Sequence, residues 1–390
     1  MHTNRELLDR AFDREPALVD SSDVLRIRVA EQHVVPVARE PRTDRPTDRP
    51  GSHDDVFHRV TLIGIGSRTQ TMAFTSRFFN TEDLPVEGPA RELVGYGEHP
   101  PRVRWENDAK VAVQIVVNYE EGSEKTFAMG DGENDIFYEL PFKLDDQRDL
   151  AVESMYEYGS RAGIWRLFRV FDSAGVPVTF FAAAVALERN PAVAEKLARR
   201  GDEAAGHGYR WSNHFEMTRD EEREAIKRAV ESIERTTGTR PLGWYCREMS
   251  VNTRELVVEH GGFVYDSDCY NDDLPYWSVV LGQPQLIVPY GLVVNDARYL
   301  VPQGFGSPEH FFEMAKAHLD RLRSDGDDVP RMMSVGLHPR ATGNPARADA
   351  LARFIEYGQS LGDVWFARRI DIVNTFSAQE PSEKWVGLSR

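Results

Sequence analysis

Short apolar runs alternate with amphipathic segments of helical period along most of the chain after about residue 110. The apolar runs are bounded by Gly, Pro or charged residues, and their length is typical of strands buried on both faces. They predict strands at 111–118, 176–184, 203–205, 242–246, 263–268, 286–295, 331–338 and 364–367. Segments with apolar residues every three or four positions predict helices at 156–174, 191–200, 220–237, 252–260, 309–323 and 347–359.

Strands that alternate with helices predict an α/β fold with a parallel sheet. About seven or eight β/α units follow one another, which suits a distorted (β/α) barrel better than an open sheet. The polar, glycine-containing stretch 122–149 has no clear period and is predicted to be a loop or a lid. In a barrel of this kind the active site lies at the carboxyl ends of the strands.

The amino-terminal part of the chain has a different composition. Residues 39–54 are rich in Pro, Arg and Asp and contain no large apolar side chain. Such a segment cannot offset the conformational entropy that ordering would cost. We therefore predict a largely disordered N-terminal extension, residues 1–80, and one barrel domain over residues 81–390.

The balance of charge narrows the range of partners. The formal net charge is −16, from 47 Lys and Arg against 63 Asp and Glu. Phosphate binding requires clustered basic residues, so this balance argues against nucleic acid and anionic membranes as partners. The chain has two cysteines, no apolar run long enough to span a bilayer, and no apolar signal core in residues 1–14. These features predict a soluble cytoplasmic protein.

Polar side chains collect where the predicted strands end. They are Glu120, Glu121, His207, Asp266, Asp268, Asn295, Asp296, His338 and Arg340. Because the carboxyl ends of parallel strands share one rim, we expect these carboxylates, histidines and the arginine to converge. Amide hydrolysis requires a base for water, an acid for the leaving nitrogen and a cation or dipole for the oxyanion. The rim therefore predicts hydrolytic acid–base chemistry.

Each of these features also has a purely structural interpretation. Adjacent glutamates after a strand are usually solvated loop residues, and Asp266 and Asp268 can cap turns. The Leu-His-Pro-Arg sequence at 337–340 can be an ordinary strand exit, at which Arg340 pairs with a carboxylate. Only the occurrence of all these features at successive strand ends favours a catalytic rim.

Several short motifs occur in the order typical of the polysaccharide deacetylase superfamily, which shares the NodB homology domain. They are Asn-Tyr-Glu-Glu (118–121), Gly-His-Gly-Tyr-Arg-Trp (206–211), Arg-Pro-Leu-Gly-Trp-Tyr (240–245), Tyr-Asp-Ser-Asp (265–268) and Gly-Leu-His-Pro-Arg (336–340). The chain most resembles the metal-independent allantoinase branch of urate breakdown, over about residues 90–375. The resemblance implies a distorted (β/α) barrel of about seven strands and a hydrolase of carbon–nitrogen bonds other than peptide bonds.

The resemblance also implies roles for individual side chains. The Asp-Asp pair that supplies a base and a metal ligand in the sugar deacetylases corresponds to Glu120 and Glu121. The first histidine of their His-x-x-x-His metal motif corresponds to His207, but the second position holds Trp211, whose indole N–H can only donate. We therefore expect no metal or other cofactor. Zinc would be required only if the chain is a deacetylase.

The superfamily's later motifs imply that His338 is the acid and that Arg240 orients the base carboxylate. The nearby His214 is interpreted as a surface residue. The predicted catalytic residues are therefore Glu120, Glu121, His207, His338 and Arg240. The predicted substrate-binding residues are Tyr209, Trp211, Trp244, Tyr245 and Asp268.

The leading hypothesis is a homo-oligomeric enzyme of purine catabolism that hydrolyses a small cyclic amide, allantoin, to allantoate. Residues 246–251 are Cys-Arg-Glu-Met-Ser-Val, whereas the allantoinase branch has Thr-Gly-Arg-Thr-Gly-Pro there. The larger, charged side chains would narrow or recharge the pocket, so a cyclic imide hydrolase is an alternative. The remaining alternatives are a metal-dependent N-deacetylase of an amino sugar or polysaccharide and, last, a barrel scaffold without activity.

Overall fold

The computed structural model describes residues 87–136, 139–140, 142–301 and 304–386 of the 390-residue chain. The predicted N-terminal extension, residues 1–80, lies outside the described residues. Among the helices of the described ranges, none combines the length and the apolar character that crossing a membrane requires.

The described residues form a nine-stranded sheet that curls into a half-barrel. Its strands are β1 (Val111–Tyr119), β2 (Thr179–Ala182), β3 (Glu203–Gly206), β4 (Gly243–Trp244), β5 (Tyr265–Asp266), β6 (Tyr276–Val280), β7 (Gln283–Ile287), β8 (Arg331–Leu337) and β9 (Val364–Phe366). Their order is β6-β7-β5-β4-β3-β2-β1-β8, and β9 pairs with the beginning of β1. Only β6 and β7 pair antiparallel within the described sheet. The predicted distorted (β/α) barrel is confirmed.

Helices connect most of the parallel strands, so the carboxyl ends of these strands face one rim. The helices of the described residues are α1 (Leu150–Tyr158), α2 (Ile164–Ala174), α3 (Ala184–Arg189), α4 (Pro191–Arg200), α5 (Arg219–Thr237), α6 (Thr253–His260), α7 (Pro308–Asp325), α8 (Pro345–Ser360), α9 (Arg369–Gln379) and α10 (Ser382–Val386). The last two, α9 and α10, follow the final strand. Each predicted helix is present, whereas α3, α9 and α10 were not predicted.

β1 is buried along its whole length, which explains why its sequence has no polar alternation. Val113 and Ile115 belong to the core between the sheet and the outer helices, where they join Phe168 of α2. Ala112 and Val116 belong to the second core, inside the half-barrel. The strand is therefore fixed on both faces, and the residues that follow it have a rigid support.

The strand predicted at 286–295 is wrong in its extent. The structure instead has a hairpin of β6 and β7, and β7 ends at Ile287. Leu281 and Gly282 join the two strands, with φ of 49° and 76°. Two successive left-handed residues suit a tight antiparallel turn, but leucine is not the Asn or Asp that usually marks one. The hairpin therefore had no recognisable turn signal in the sequence.

The helix predicted at 156–174 begins earlier, at Leu150, and contains a π-helical turn, Gly159–Gly163. This turn packs tightly against the chain that follows β8. A Cβ added to Gly163 would lie 2.1 Å from the carbonyl oxygen of Pro339. The glycine at this position therefore allows the helix to contact the loop that carries part of the rim.

Candidate active site

Glu120 is the first residue after β1, and its side chain lies buried at the rim. Its Oε1 lies 3.0 Å from Nε2 of His207 and 3.6 Å from Nε2 of His338. Nη2 of Arg340 donates a 2.6 Å hydrogen bond to Oε2. Burial alone would raise the pKa of Glu120, but the charges of Arg340 and His338 hold it well below its usual range. The side chain is therefore a carboxylate.

His207 follows β3, and its ring is held by both nitrogens. Nδ1 lies 3.2 Å from the carbonyl oxygen of Tyr245, and the imidazole stacks on the Tyr245 ring with centroids 5.2 Å apart. Because a carbonyl oxygen can only accept a hydrogen bond, Nδ1 carries a hydrogen. These contacts orient the imidazole so that Nε2 faces the carboxylate of Glu120.

His338 follows β8 and is oriented by Asp296. Its Nδ1 donates to Oδ1 of Asp296 over 2.6 Å, and its backbone N–H donates to Oδ2 over 2.7 Å. Burial alone would lower the pKa of His338, but the carboxylates of Glu120 and Asp296 outweigh it and raise the pKa to about 9. His338 is therefore an imidazolium at neutral pH, with a proton available at the rim.

Arg340 lies between the two glutamates that follow β1. Its backbone N–H donates to Oε1 of Glu121 over 3.1 Å, and its Nη1 lies 3.4 Å from the same oxygen. The guanidinium carbon lies 4.6 Å from the ring centroid of Tyr156 and 5.0 Å from that of Trp211. Burial raises the pKa of Glu121. Glu121 therefore positions Arg340, which in turn binds Glu120.

The donor groups of this rim do not fit a zinc ion. Glu120 and Glu121 are already bound by Arg340, whose guanidinium supplies the positive charge beside them. His207 is bound to Glu120, and Trp211 offers no lone pair. Within the described ranges, no group of three or more His, Cys, Asp or Glu side chains could hold a metal ion. A catalytic zinc site needs three such protein ligands.

These side chains face a pocket of about 300 Å³. Glu120, His207, His338 and Arg340 form its buried polar end. The remaining lining includes Asn118, Ile136, Tyr156, Trp211, Tyr245, Leu292, Asn295 and Leu300. The structure thus brings together five of the residues predicted from the sequence, namely Glu120, His207, His338, Trp211 and Tyr245. The pocket is suited to a small molecule with a polar reacting end.

Arg240 is not part of this pocket, which corrects its predicted role. It precedes β4, at the amino end of the strand, and its Nη2 donates to the carbonyl of Gly261 over 2.8 Å. The arginine that binds Glu120 is Arg340. Its sequence signal is its position two residues after His338 at a strand exit, where it pairs with a carboxylate.

Three predicted substrate-binding residues also lie away from the pocket lining. Trp244 is fully buried in the outer core, where its ring lies beneath Gly206. Tyr209 packs against the guanidinium of Arg228, 3.8 Å from its ring centroid, in a separate surface groove. Asp268 is buried and accepts the backbone N–H of Cys246. These three side chains hold the segments that surround the pocket, but they do not line it.

The interpretation of His214 as a surface residue is wrong. Its side chain is 1% exposed, and Nδ1 lies 2.9 Å from Oε1 of Glu222 in α5. Glu222 also accepts hydrogen bonds from the hydroxyls of Ser250 and Thr253. His214 therefore ties the loop after β3 to the loop after β4, a role that depends on contacts between distant segments.

Two asparagines support the pocket wall, of which only Asn295 was among the polar residues expected at the rim. Asn118 and Asn295 both donate through Nδ2 to the hydroxyl oxygen of Tyr290, over 3.0 and 3.1 Å. Asn118 is one of two polar amides in β1, with Gln114, and it lies near the carboxyl end of the strand, which is the signal that could have identified it. The asparagine pair fixes Tyr290 between β1 and the chain beside β8.

Gly159, in the π-helical turn, contacts Glu121 and Arg340, the residues next to Glu120 at the rim. A Cβ at this position would lie 2.5 Å from Oε1 of Glu121 and 2.8 Å from the backbone nitrogen of Arg340. We expect Gly159→Ala to displace both groups and to lower kcat by roughly tenfold to a hundredfold, because small misplacements at a reacting centre are costly. Steady-state kinetics on the purified variant measures this loss.

The matched control is Gly306→Ala. A Cβ at Gly306 would make only ordinary contacts, 3.5 and 3.6 Å from the ring of His310, and its backbone is not left-handed. We expect this variant to keep wild-type kcat. Equal activities of the Gly159→Ala and Gly306→Ala variants would show that the close contact has no bearing on the rim.

Comparisons with known proteins agree on one family. A model of that family, described as Polysaccharide deacetylase, matches residues 145–260. A Schizosaccharomyces pombe protein assigned as a polysaccharide deacetylase is 36% identical over 313 residues, which cover 75% of this chain and 98% of that protein. A solved structure of a probable polysaccharide deacetylase from Pseudomonas aeruginosa PAO1 is 45% identical, with a TM-score of 0.73 over 75% of this chain and 99% of that one. The solved structure of the allantoinase PuuE is 44% identical, with a TM-score of 0.73 over 76% of this chain and 99% of that one.

Proposed function

Because this chain belongs to the polysaccharide deacetylase family of hydrolases, which act on carbon–nitrogen bonds, we propose that it opens the ring of a cyclic amide and converts allantoin to allantoate. The observation that carries the proposal is the position of Glu120, a buried carboxylate held by two histidines and Arg340 at the end of a small pocket. The 44% identity to the allantoinase PuuE supports the choice of substrate.

In the proposed reaction, the oxygen of a water molecule bonds to the ring carbonyl carbon, and the ring C–N bond breaks. One water proton passes to Glu120, and the leaving nitrogen takes a proton from His338. The new carboxylic acid releases the second water proton to solvent, which leaves the product as a carboxylate. The proton on Glu120 then passes to His338, whose Nε2 lies 3.6 Å away, and both side chains are restored. A carboxylate with a low pKa is a weak base towards free water. Glu120 therefore accepts the proton as the new C–O bond forms, when the protons on that oxygen are far more acidic.

The intermediate carries a negative charge on the former carbonyl oxygen. Nε of Arg340 is buried without a hydrogen-bond partner among the described residues, and Arg340 lines the pocket. A buried N–H group without a hydrogen-bond acceptor costs free energy, and a ligand that accepts its hydrogen bond removes that cost. We therefore assign Nε of Arg340 as the donor to the oxyanion, with the imidazolium of His338 as the second positive group.

The walls of the pocket suit a planar, neutral ring that has few polar anchors. Trp211 and Tyr245 contribute aromatic surface, and Ile136, Leu292 and Leu300 contribute aliphatic surface. Such walls exclude water from the reacting end, where the charges of Glu120, His338 and Arg340 then act more strongly. A hydantoin ring has the shape and polarity that these walls would accept.

The test is a ring-opening assay on the full-length protein. Racemic allantoin, hydantoin, succinimide and an N-acetylglucosamine oligomer are each incubated with the protein, with and without EDTA. We expect allantoate from allantoin at a rate that EDTA does not change, and no acetate from the sugar. Acetate release without ring opening would overturn the proposal in favour of N-deacetylation. Ring opening that is lost with EDTA and restored by zinc would overturn the metal-free mechanism.

A further inference from the structure

Glu248 carries an uncompensated negative charge at the mouth of the pocket. It lies in the loop after β4, lines the pocket, and is exposed, whereas the reacting end is buried. Among the described residues, its carboxylate has no hydrogen bond and no salt bridge. A carboxylate in this position is free to interact with whatever part of a ligand extends towards the solvent.

The backbone conformation and its hydrogen bonds fix the position of Glu248. Its φ is 43°, in the left-handed region that a non-glycine residue rarely adopts. Its carbonyl oxygen accepts the backbone N–H groups of His214 and Phe215, over 3.1 and 3.3 Å. His214 is itself buried and bound to Glu222. This unfavourable conformation persists because neighbouring segments hold it, so the side chain starts from a fixed point at the mouth.

The positive charge of the preceding residue, Arg247, does not neutralise Glu248. Nη1 of Arg247 lies 2.8 Å from Oδ1 of the buried Asp135, and its guanidinium lies 3.8 Å from the ring centroid of Trp211. Arg247 is thus already paired within the wall. The hydroxyl of Tyr245, which also lines the pocket, bonds the hydroxyl of Tyr270 over 2.9 Å and brings no positive charge to the wall. The charge that a ligand meets at the mouth is therefore that of Glu248.

The two ends of the pocket differ in charge. At the buried end, the carboxylate of Glu120 is matched by Arg340 and by the imidazolium of His338. At the mouth, Glu248 is unmatched. A ring whose scissile amide reaches Glu120 must direct its opposite substituent towards the mouth, where a negative charge would be repelled and an N–H donor or a cation would be attracted.

We propose that Glu248 is a specificity-determining residue, which selects cyclic amides whose ring substituent carries N–H donors or a positive charge over those with a carboxylate arm. This inference rests on the proposed ring-opening function and adds the class of substituent to it. A ureido arm, which has several N–H donors and no charge, meets the requirement.

Three hydantoins that differ only in the arm test the inference. They carry a 5-(2-aminoethyl), a 5-ureido or a 5-carboxymethyl group, and kcat/KM is measured for each with wild type, Glu248→Gln and Glu248→Arg. We expect the wild type to prefer the amino arm to the carboxylate arm by roughly tenfold. The ratio should approach one in Glu248→Gln and invert in Glu248→Arg. Added salt should reduce the ratio in the wild type, because the pair is exposed.

The control is Glu313→Arg, on the exposed face of α7, which makes the same change in net charge. It should keep the wild-type ratio, and thermal unfolding should show that the variants are folded. A wild-type enzyme that opens all three rings without preference, or Glu248 variants that keep the wild-type ratio, would overturn the inference while leaving the ring-opening function intact. Failure of the wild type to open any of the rings would overturn the proposed function, and the inference with it.

Discussion

Glu120→Gln is expected to lower kcat/KM for ring opening by a factor of about 10³ to 10⁴. The amide keeps the volume of the side chain but cannot accept the proton of the attacking water. The substitution also removes the negative charge that Arg340 and His338 share. Because Glu120 is one of the two carboxylates that raise the pKa of His338, the residual activity should decline at a lower pH than in the wild type.

Steady-state kinetics over a range of pH measures both effects in one experiment. Glu121→Gln is the matched control, since it changes the neighbouring carboxylate, which faces Arg340 and lies outside the pocket lining. We expect it to lose less activity than Glu120→Gln, because Glu121 only positions the arginine. If the kcat/KM of Glu120→Gln lies within tenfold of the wild-type value, another group is the base.

The strands that carry the candidate site could be predicted because they are buried on both faces. Such strands have continuous apolar sequences, and the polar residues that end them are conspicuous. Glu120 follows β1 and His338 follows β8, so the rule that active sites lie at the carboxyl ends of parallel strands identified both. The same rule excludes Arg240, which precedes its strand, and the role that the family resemblance implied for it is the one that the structure corrects.

The contacts that complete the candidate site could not be predicted. Arg340 and Glu120 are separated by 220 positions, and nothing in the local pattern indicates that one binds the other. Trp244 and Tyr245 are adjacent, yet Trp244 faces the helices and Tyr245 faces the interior. Successive residues of a strand point to opposite faces, and in a strand as short as β4 the sequence does not show which residue points inward.

The cations of the rim explain how hydrolysis could proceed with side chains alone. A zinc ion lowers the pKa of water and stabilises the oxyanion by its charge. At this rim Arg340 provides a fixed positive charge and His338 provides a mobile proton, and both act on the same carboxylate, Glu120. The consequence is that the rate should depend on the protonation of His338 rather than on added metal.

His338→Gln is therefore expected to lower kcat/KM by a factor of about 10² to 10⁴. Glutamine can donate a hydrogen bond but cannot transfer a proton to the leaving nitrogen. In the wild type the pKa of His338 is about 9, so kcat/KM should be level through neutral pH and fall as the pH rises above about 9. The variant should lack this alkaline decline. A wild-type profile that rises towards alkaline pH would contradict the assignment of His338 as the acid.

The same proton should link His338 to folding stability. Its pKa of about 9 lies above the ordinary value of 6.5, so the folded state binds the proton more tightly than the unfolded state does. The resulting stabilisation, roughly 3 kcal/mol, is complete below about pH 6.5 and is lost as the pH rises through about 9. The free energy of unfolding, from urea titrations, should fall over this interval in the wild type and much less in His338→Gln. Burial lowers the pKa of the half-buried His318, so any contribution from that residue is lost on acidification instead. The control variant His318→Gln should therefore show the same fall in the free energy of unfolding at alkaline pH as the wild type. If the free energy of unfolding depends on pH in the same way in the wild type and in His338→Gln, another group holds the proton.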